Sequence, residues 1–218
     1  MPSDRTTVFE LDESPRGRRL RLLSRAGDLE EAHLPEAWRA APLALLCPVI
    51  NEVDPALAAT FAEASLGVLP QGWLRRRGAG GAITAASWED ADVVLPYTQV
   101  LVVSAEEIEP FSKTALDWFQ HVPVGAVTRG FEGAILFVNG ERYHVEPDRA
   151  AQMDATGAGD VFATALLIEY QREGNPWEAG AAAACAAAAS IEAPGAAGIP
   201  DRSELAARLA AYHRRLGG

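Results

Sequence analysis

Residues 100–128 read VLVVSAEEIEPFSKTALDWFQHVPVGAVT, a stretch in which two short apolar segments flank a helical one. Residues 100–103 and 125–128 are continuous apolar runs, which suit strands that are buried on both faces. Residues 112–121 have the pattern of a helix. Strand, helix and strand in this order predict a right-handed β-α-β unit with parallel strands.

The same alternation continues in both directions from this unit. Before it, we predict strands at 43–47 and 67–69 around a helix over 54–64, with Asp54 as N-cap and Pro55 at the first helical position. We predict two hairpins, at 8–23 with a turn at 12–17 and at 134–145 with a turn at Asn139-Gly140. The last third of the chain is predicted to form helices at 159–170, 176–192 and 203–214. The pattern predicts a single α/β domain over 1–218, doubly wound around a mostly parallel sheet.

Composition and charge exclude several classes of protein. The chain has 218 residues, 49% of them hydrophobic and 22% charged, which excludes a disordered or fibrous chain. Its formal charge of −11 argues against binding to nucleic acid or to anionic membranes.

Three features of the sequence bear on where the protein is located. No stretch has the length and apolarity of a membrane-spanning helix, and we interpret the alanine run at 181–191 as a packed helix. The N-terminus has no apolar signal segment. Cys47 and Cys185 lie far apart, which favours a reducing compartment over a disulfide scaffold. We therefore expect a cytoplasmic protein.

The segment with the clearest chemistry is Asp154-Ala155-Thr156-Gly157-Ala158-Gly159-Asp160, which leads directly into an apolar helix. Its glycines would let a ligand reach backbone N–H groups at a helix N-terminus, where anions bind. Asp160 could accept a proton from an attacking hydroxyl, as phosphoryl transfer requires. The alternative from the residues alone is that Asp160 only caps a helix whose turn needs glycine.

Four segments in order resemble the ribokinase-like, or PfkB, family of carbohydrate kinases. Residues 154–160 are similar to the family's C-terminal Asp-Thr-Thr-Gly-Ala-Gly-Asp motif, and residues 192–200 to its Gly-rich loop near adenine. Thr128-Arg129-Gly130 with Gly133 resembles its Thr-x-Gly-x-x-Gly nucleotide segment. Residues 104–107 stand where members carry Asn-x-x-Glu.

The resemblance implies an ATP- and Mg²⁺-dependent kinase that phosphorylates a hydroxyl of a small sugar or polyol. It implies that Asp160 is the catalytic base and that Gly157, Ala158 and Gly159 form an anion hole. Glu107 would organise magnesium. The positions implied to lie at the nucleotide are Ser104, Glu107, Thr128, Gly130, Gly133, Thr156 and Gly195.

Several positions depart from the family pattern. Ala155 replaces a residue that is usually a hydroxyl or proline, Ser104 replaces an Asn, and Ala184 stands where many members have Asn. The family's first β-α units have no counterpart, so residues 1–25 are interpreted as the remaining hairpin of a lid. Either a homodimer or residues upstream of Met1 would cover the sheet edge that this leaves.

The resemblance leaves a second function open. The chain could be a catalytically degenerate relative that binds nucleotide and acts through self-association or a partner. Among the remaining candidates, Trp73 is interpreted as a core residue and the arginines at 75–77 as a solvated run. The residues with which family members grip the sugar are mostly absent from this sequence.

Overall fold

A computed structural model describes residues 3–14 and 17–217 of the chain. The described residues form ten strands, which in chain order are β1 (Val8–Ser14), β2 (Gly17–Ser24), β3 (Leu43–Leu46), β4 (Ser65–Val68), β5 (Arg75–Arg77), β6 (Ile83–Ala85), β7 (Thr98–Ser104), β8 (Val124–Thr128), β9 (Ala134–Val138) and β10 (Glu141–Val145). The α-helices of the same residues are α1 (Glu36–Arg39), α2 (Leu57–Thr60), α3 (Ala91–Val94), α4 (Ala105–Ile108), α5 (Ser112–Trp118), α6 (Ala158–Glu173), α7 (Pro176–Ser190) and α8 (Arg202–Leu216).

The central sheet has six strands in the order β10-β9-β8-β7-β4-β3. β3, β4, β7 and β8 run parallel to one another, while β9 pairs antiparallel with both β8 and β10. The hairpin between β9 and β10 turns at Asn139 and Gly140, whose φ angles of 52° and 80° are those of a tight hairpin turn. The prediction of a mostly parallel α/β sheet with this hairpin is confirmed.

Helices cover both faces of the sheet. The side chains of its central strands therefore point alternately into two separate cores. Val100 and Val102 of β7 pack with α6 and α7 on one face. Leu101 and Val103 pack on the other face, against the layer that contains α2 and α5. All four are at most 3% exposed, as expected for parallel strands that are buried on both sides.

The alanine-rich helix α7 packs closely against this sheet. A Cβ atom added at Gly180 would lie 2.6 Å from a methyl group of Leu136 on β9, so any side chain here would displace Leu136. Its alanines are mostly buried, which confirms the interpretation of a packed helix. Within the described residues, no helix combines the length and apolarity needed to cross a membrane.

Two smaller ribbons lie outside the central sheet. β1 and β2 form the predicted N-terminal hairpin, although Pro15 and Arg16 of its turn lie outside the described residues. β5 and β6 form a second hairpin, which contacts the first through a bridge between Arg21 and Ala82. The arginines at 75–77 thus form a strand, which their sequence pattern did not predict.

The predicted helix over 54–64 is wrong. The structure has only the single turn α2, whose N-cap is Ala56 and not Asp54. The Asp54 carboxylate instead accepts the N–H of Ala56 in a local turn, and the Asp54 N–H donates to the Leu29 carbonyl. After α2 the backbone continues in tight turns, in which the N–H groups of Phe61, Ala62 and Ala64 each donate to the carbonyl three residues earlier.

Candidate active site

The candidate site lies at the carboxyl edge of the parallel strands, where ligands bind in open α/β sheets. Cys47 follows β3, Gln71 lies in a short turn after β4, Glu107 is in α4 directly after β7, and Thr128 ends β8. The Asp160 carboxyl of α6 is near enough for its charge to act on the Cys47 thiol and for the charge of Glu107 to act on it in turn. The parallel strands therefore bring residues that are distant in sequence to one edge.

The turn before α6 is fixed by its own aspartate. Asp154 Oδ1 accepts the N–H of Thr156 at 2.9 Å, and Oδ2 accepts the N–H of Gly195 at 3.2 Å. Hydrogen bonds from Thr156 and then from the Gly195 N–H lower the pKa of Asp154. The N–H groups of Met153 and Asp154 both donate to the Ile191 carbonyl. These contacts bring the predicted segments 154–160 and 192–200 together.

The first turn of α6 presents free backbone donors. Gly157 caps the helix with φ 81°, and the Ala158 N–H makes a long 3.3 Å bond to the Ala155 carbonyl. Within the described residues, the N–H groups of Gly159 and Asp160 have no hydrogen-bond acceptor. An added Cβ at Gly159 would meet no atom within 4 Å. The turn can therefore approach an anion closely.

Asp160 carries the carboxylate of this turn. The residue as a whole is exposed, but its carboxyl group is partly desolvated by the surrounding protein. This desolvation raises the pKa of Asp160, and the negative charge of Glu107 raises it further. No described residue donates a hydrogen bond to this carboxylate, whereas its backbone carbonyl accepts the Thr164 hydroxyl. An unpaired carboxylate with a raised pKa is suited to accept a proton.

Glu107 is held from two sides. Its Oε2 accepts the Ser104 N–H at 3.0 Å, while the Ser104 hydroxyl accepts the Glu107 N–H at 3.2 Å, which together form a capping box. Its Oε1 accepts the side-chain amide of Gln71 at 2.5 Å. The hydroxyl of Ser104, which stands at the family's Asn position, thus caps α4.

The carboxylates fit one mode of magnesium binding. Among the described residues, no group of three or more His, Cys, Asp or Glu side chains could hold a metal by itself. Magnesium commonly takes only one or two carboxylates and completes its shell with water and substrate phosphates. Glu107 and Asp160, which are close enough to interact electrostatically, offer such a partial set.

Thr128 and the two glycines that follow it are placed differently from one another. The Thr128 hydroxyl donates to the Val103 carbonyl at 3.4 Å, at the end of β8. Gly130 faces open space, as does Gly195 in the loop tethered to Asp154. Gly133 is required by packing instead, because an added Cβ would lie 2.1 Å from the Val145 carbonyl.

Other features lie outside this edge. Ala184 is buried in the α7 core. Trp73 is 5% exposed, donates from Nε1 to the Val53 carbonyl and stacks on Trp88 at 5.6 Å, which confirms its interpretation as a core residue. Two cavities, one beside the N-terminal hairpin and one beside the β5–β6 ribbon, are lined by residues other than those of the candidate site.

Sequence reasoning did not select Gln71 or Cys47 as site residues. Both follow apolar strands of the parallel sheet, and that position was the available signal. The Cys47 thiol is desolvated and faces the charge of Asp160, which together raise its pKa to about 12.

A model of the pfkB family of carbohydrate kinases matches residues 75–202, more than half of the chain. The chain belongs to this family. The predicted resemblance is therefore confirmed, and the matched range includes Ser104, Glu107, Thr128, Asp160 and Gly195.

Solved structures of ribokinase-family proteins share the fold of this pfkB-family member. One is a pyrophosphate-dependent kinase in a sulfate complex, with TM-score 0.77, 21% identity and coverage of 94% of this chain and 75% of its own. Another is a pyrophosphate-dependent myo-inositol-1 kinase, with TM-score 0.77, 22% identity and coverage of 96% and 74%. Ribokinase from Thermotoga maritima has TM-score 0.69, 23% identity and coverage of 94% and 70%.

These identities establish a common fold and no more. No curated protein sequence matches the chain. The chain is shorter than its structural neighbours, since it spans about three quarters of the first two.

Proposed function

We propose that the chain transfers a phosphoryl group from ATP to a hydroxyl of a small sugar or polyol. One observation carries the proposal. The Asp160 carboxylate, whose pKa is raised, shares the first turn of α6 with backbone N–H groups, and neither has a hydrogen-bond partner among the described residues. A base and an anion cradle within one turn are what transfer to an alcohol requires. Membership of a carbohydrate kinase family supports this chemistry.

The roles follow from the positions of the groups. The acceptor oxygen would bond to the phosphorus of the terminal phosphate as its proton passes to the Asp160 carboxylate. The bond between that phosphorus and its bridging oxygen would break, and ADP would leave with the bonding electrons. The N–H groups of residues 157–160 would stabilise the charge on the transferred phosphoryl oxygens.

Glu107 is the residue that we assign to magnesium, through one or more of the metal's water molecules. When bound, the ion would neutralise charge on the donor phosphates. Glu107 suits this task because each of its carboxylate oxygens carries one hydrogen bond from protein, which leaves each oxygen able to accept another.

The donor site would extend from this turn along segments that the structure brings together. We assign Thr128, Gly130, Thr156 and Gly195 to the nucleotide, with Ser104 and Gly133 shaping the neighbouring backbone. Pyrophosphate is a second candidate donor, since three similar structures are of pyrophosphate-dependent kinases. Ser104, which lies at this edge, replaces an Asn of the family pattern, and this difference favours testing a second donor.

A donor and acceptor screen tests the proposal. Purified protein would be incubated with Mg²⁺ and either ATP or pyrophosphate, against myo-inositol, ribose and inosine, which are named for the similar structures. Formation of a phosphorylated acceptor, followed by ³¹P NMR, is the expected result. Turnover with pyrophosphate and none with ATP would overturn the choice of donor while leaving the transfer chemistry intact.

Asp160→Asn tests the base directly. Loss of a general base lowers kcat by about 10²–10⁴-fold, and donor binding measured by calorimetry should persist. Asp117→Asn is the matched control, because Asp117 is an exposed aspartate on α5. Equal activity of Asp160→Asn and the control would exclude the proposed role. Donor binding without turnover by the unmodified chain would favour the degenerate relative.

The homodimer and the cytoplasmic location stay predictions. Among the described residues, β3 pairs on one side only, with β4, and its outer edge is the one that a second copy would cover. Sedimentation velocity at several protein concentrations would measure whether such a dimer forms.

A further inference from the structure

Gln71 lies in a turn whose backbone is locked against the neighbouring strand end. The turn Pro70–Gly72 follows β4, and the Gly72 N–H donates to the Pro48 carbonyl at 2.9 Å. An added Cβ at Gly72 would lie 2.4 Å from the Pro48 carbonyl carbon, so this contact leaves no room for a side chain at position 72. Because the turn is wedged there, the direction of the Gln71 side chain is restricted.

That side chain crosses from one parallel strand to the next. Gln71 Nε2 donates to Glu107 Oε1 at 2.5 Å, and the two residues are 36 positions apart in sequence. Both residues are partly buried, so the bond is partly shielded from water. A hydrogen bond to a carboxylate is stronger than one between neutral groups.

We propose that Gln71 is a positioning residue that holds the Glu107 carboxylate at the orientation in which it organises the metal–donor complex. The inference rests on the proposed function, because it concerns the same site. Ser104 fixes Glu107 Oε2 through the backbone, and Gln71 fixes Oε1. With both oxygens fixed, Glu107 cannot rotate away from the edge that it shares with Asp160.

The arrangement also favours a positioning role for Gln71 over a role in packing alone. A glutamine that only filled space would not need to place its amide on the carboxylate of another strand. Partners that orient the ligands of a metal commonly change metal affinity or activity by about 10–100-fold when they are removed. Gln71 comes from the Pro70-Gln71-Gly72-Trp73-Leu74-Arg75 segment, whose neighbour Trp73 belongs to the core.

Gln71→Met removes the donor and keeps the length of the side chain. The probe is the complex of Mn²⁺ with the β,γ-imido analogue of ATP, and water-proton relaxation measures its dissociation constant without turnover. We expect this constant to rise about tenfold in Gln71→Met. Gln171→Met is the matched control, because Gln171 is exposed on α6, and it should leave the constant unchanged.

A double-mutant cycle separates positioning from a general loss of structure. In a Glu107→Gln background, Gln71→Met should have no further effect, since the carboxylate through which it acts is gone. An equal loss in both backgrounds, or no loss in either, would overturn the inference. Thermal unfolding of each variant shows whether it is folded, and Gln71→Leu supplies a second variant if Gln71→Met is not.

The result is distinguishable from failure of the proposed function. Turnover can be absent while the Mn²⁺ complex still binds and still depends on Gln71, which would reject the kinase reaction alone. Absence of any binding of the Mn²⁺ complex to the unmodified chain would overturn the role of Gln71. Where turnover occurs, Gln71→Met should raise the Mg²⁺ concentration required for half-maximal rate by a similar factor.

Discussion

Gly157 and Gly159, two residues apart at the start of α6, should respond in opposite ways to alanine. Gly157 has φ 81°, a conformation that costs residues with a side chain about 1–2 kcal/mol. Gly157→Ala should therefore lower Tm by roughly 2–8 °C in a domain of this size. Gly159 lies inside the helix, where alanine is more favourable by about 0.5–1 kcal/mol, so Gly159→Ala should raise Tm by roughly 1–4 °C.

The activity of Gly159→Ala is the more informative measurement. Its new methyl group would meet no protein atom within 4 Å. Because Cα–Cβ bonds tilt toward the N-terminus of a helix, the methyl group would lean over the free N–H groups. If a phosphoryl group binds there, the added methyl costs about 1–3 kcal/mol, which is roughly 5- to 150-fold in kcat/KM.

Calorimetric unfolding and steady-state kinetics on the same preparations would test both parts. A Gly159→Ala variant that is more stable and much less active would locate the phosphoryl group at this turn. Unchanged kcat/KM in that variant would refute the assignment of the anion hole, because the space above Gly159 would then be unused. Asp117→Asn again serves as the unaffected control.

Four further predictions concern charged and thiol groups. Because burial and Glu107 raise the pKa of Asp160 above 3.8, the acid limb of kcat/KM should lie above pH 3.8, and a pH–rate profile checks this. For the same reason Asp160→Asn should be more resistant to urea at neutral pH, and this gain should vanish below pH 3.8, where the carboxyl is protonated in both states. Asp148, whose side chain is 10% exposed, pairs with Arg208 at 2.6 Å and Arg215 at 3.2 Å, and Asp148→Asn should lower the free energy of unfolding by about 1–2 kcal/mol, measured by urea titration, because Arg208 keeps its ion pair with Glu192. The Cys47 thiol, with its pKa raised to about 12, should react slowly with iodoacetamide at pH 8 and faster in Asp160→Asn, as followed by mass spectrometry.

Much of the fold could be predicted because its signals are local. The continuous apolar run of β7, the Asn139-Gly140 turn and the apolar helix after Gly157 each depend on neighbouring residues alone. The error at 54–64 shows where local signals fail. Asp54 and Pro55 favour a helix start, but the Asp54 N–H donates to the distant Leu29 carbonyl, and the helix begins only at Leu57.

The candidate site was predictable only in part, for a related reason. Asp160 and its glycines form one continuous segment, so their chemistry can be inferred from sequence order. Gln71 and Glu107 belong to different strand ends, and neither residue predicts the other. The tether from Asp154 to the Gly195 N–H likewise joins segments 41 residues apart.

The sequence alone determined the order of strands and helices, the resemblance to a kinase family and the turn that carries Asp160. The tertiary structure alone decided which strand ends are neighbours, and hence that Gln71, Glu107 and Asp160 share one edge. Local conformation follows from short-range sterics and hydrogen bonding, which the sequence encodes directly. Contacts between distant segments depend on the register and order of the whole sheet, and these are settled only when the entire chain packs.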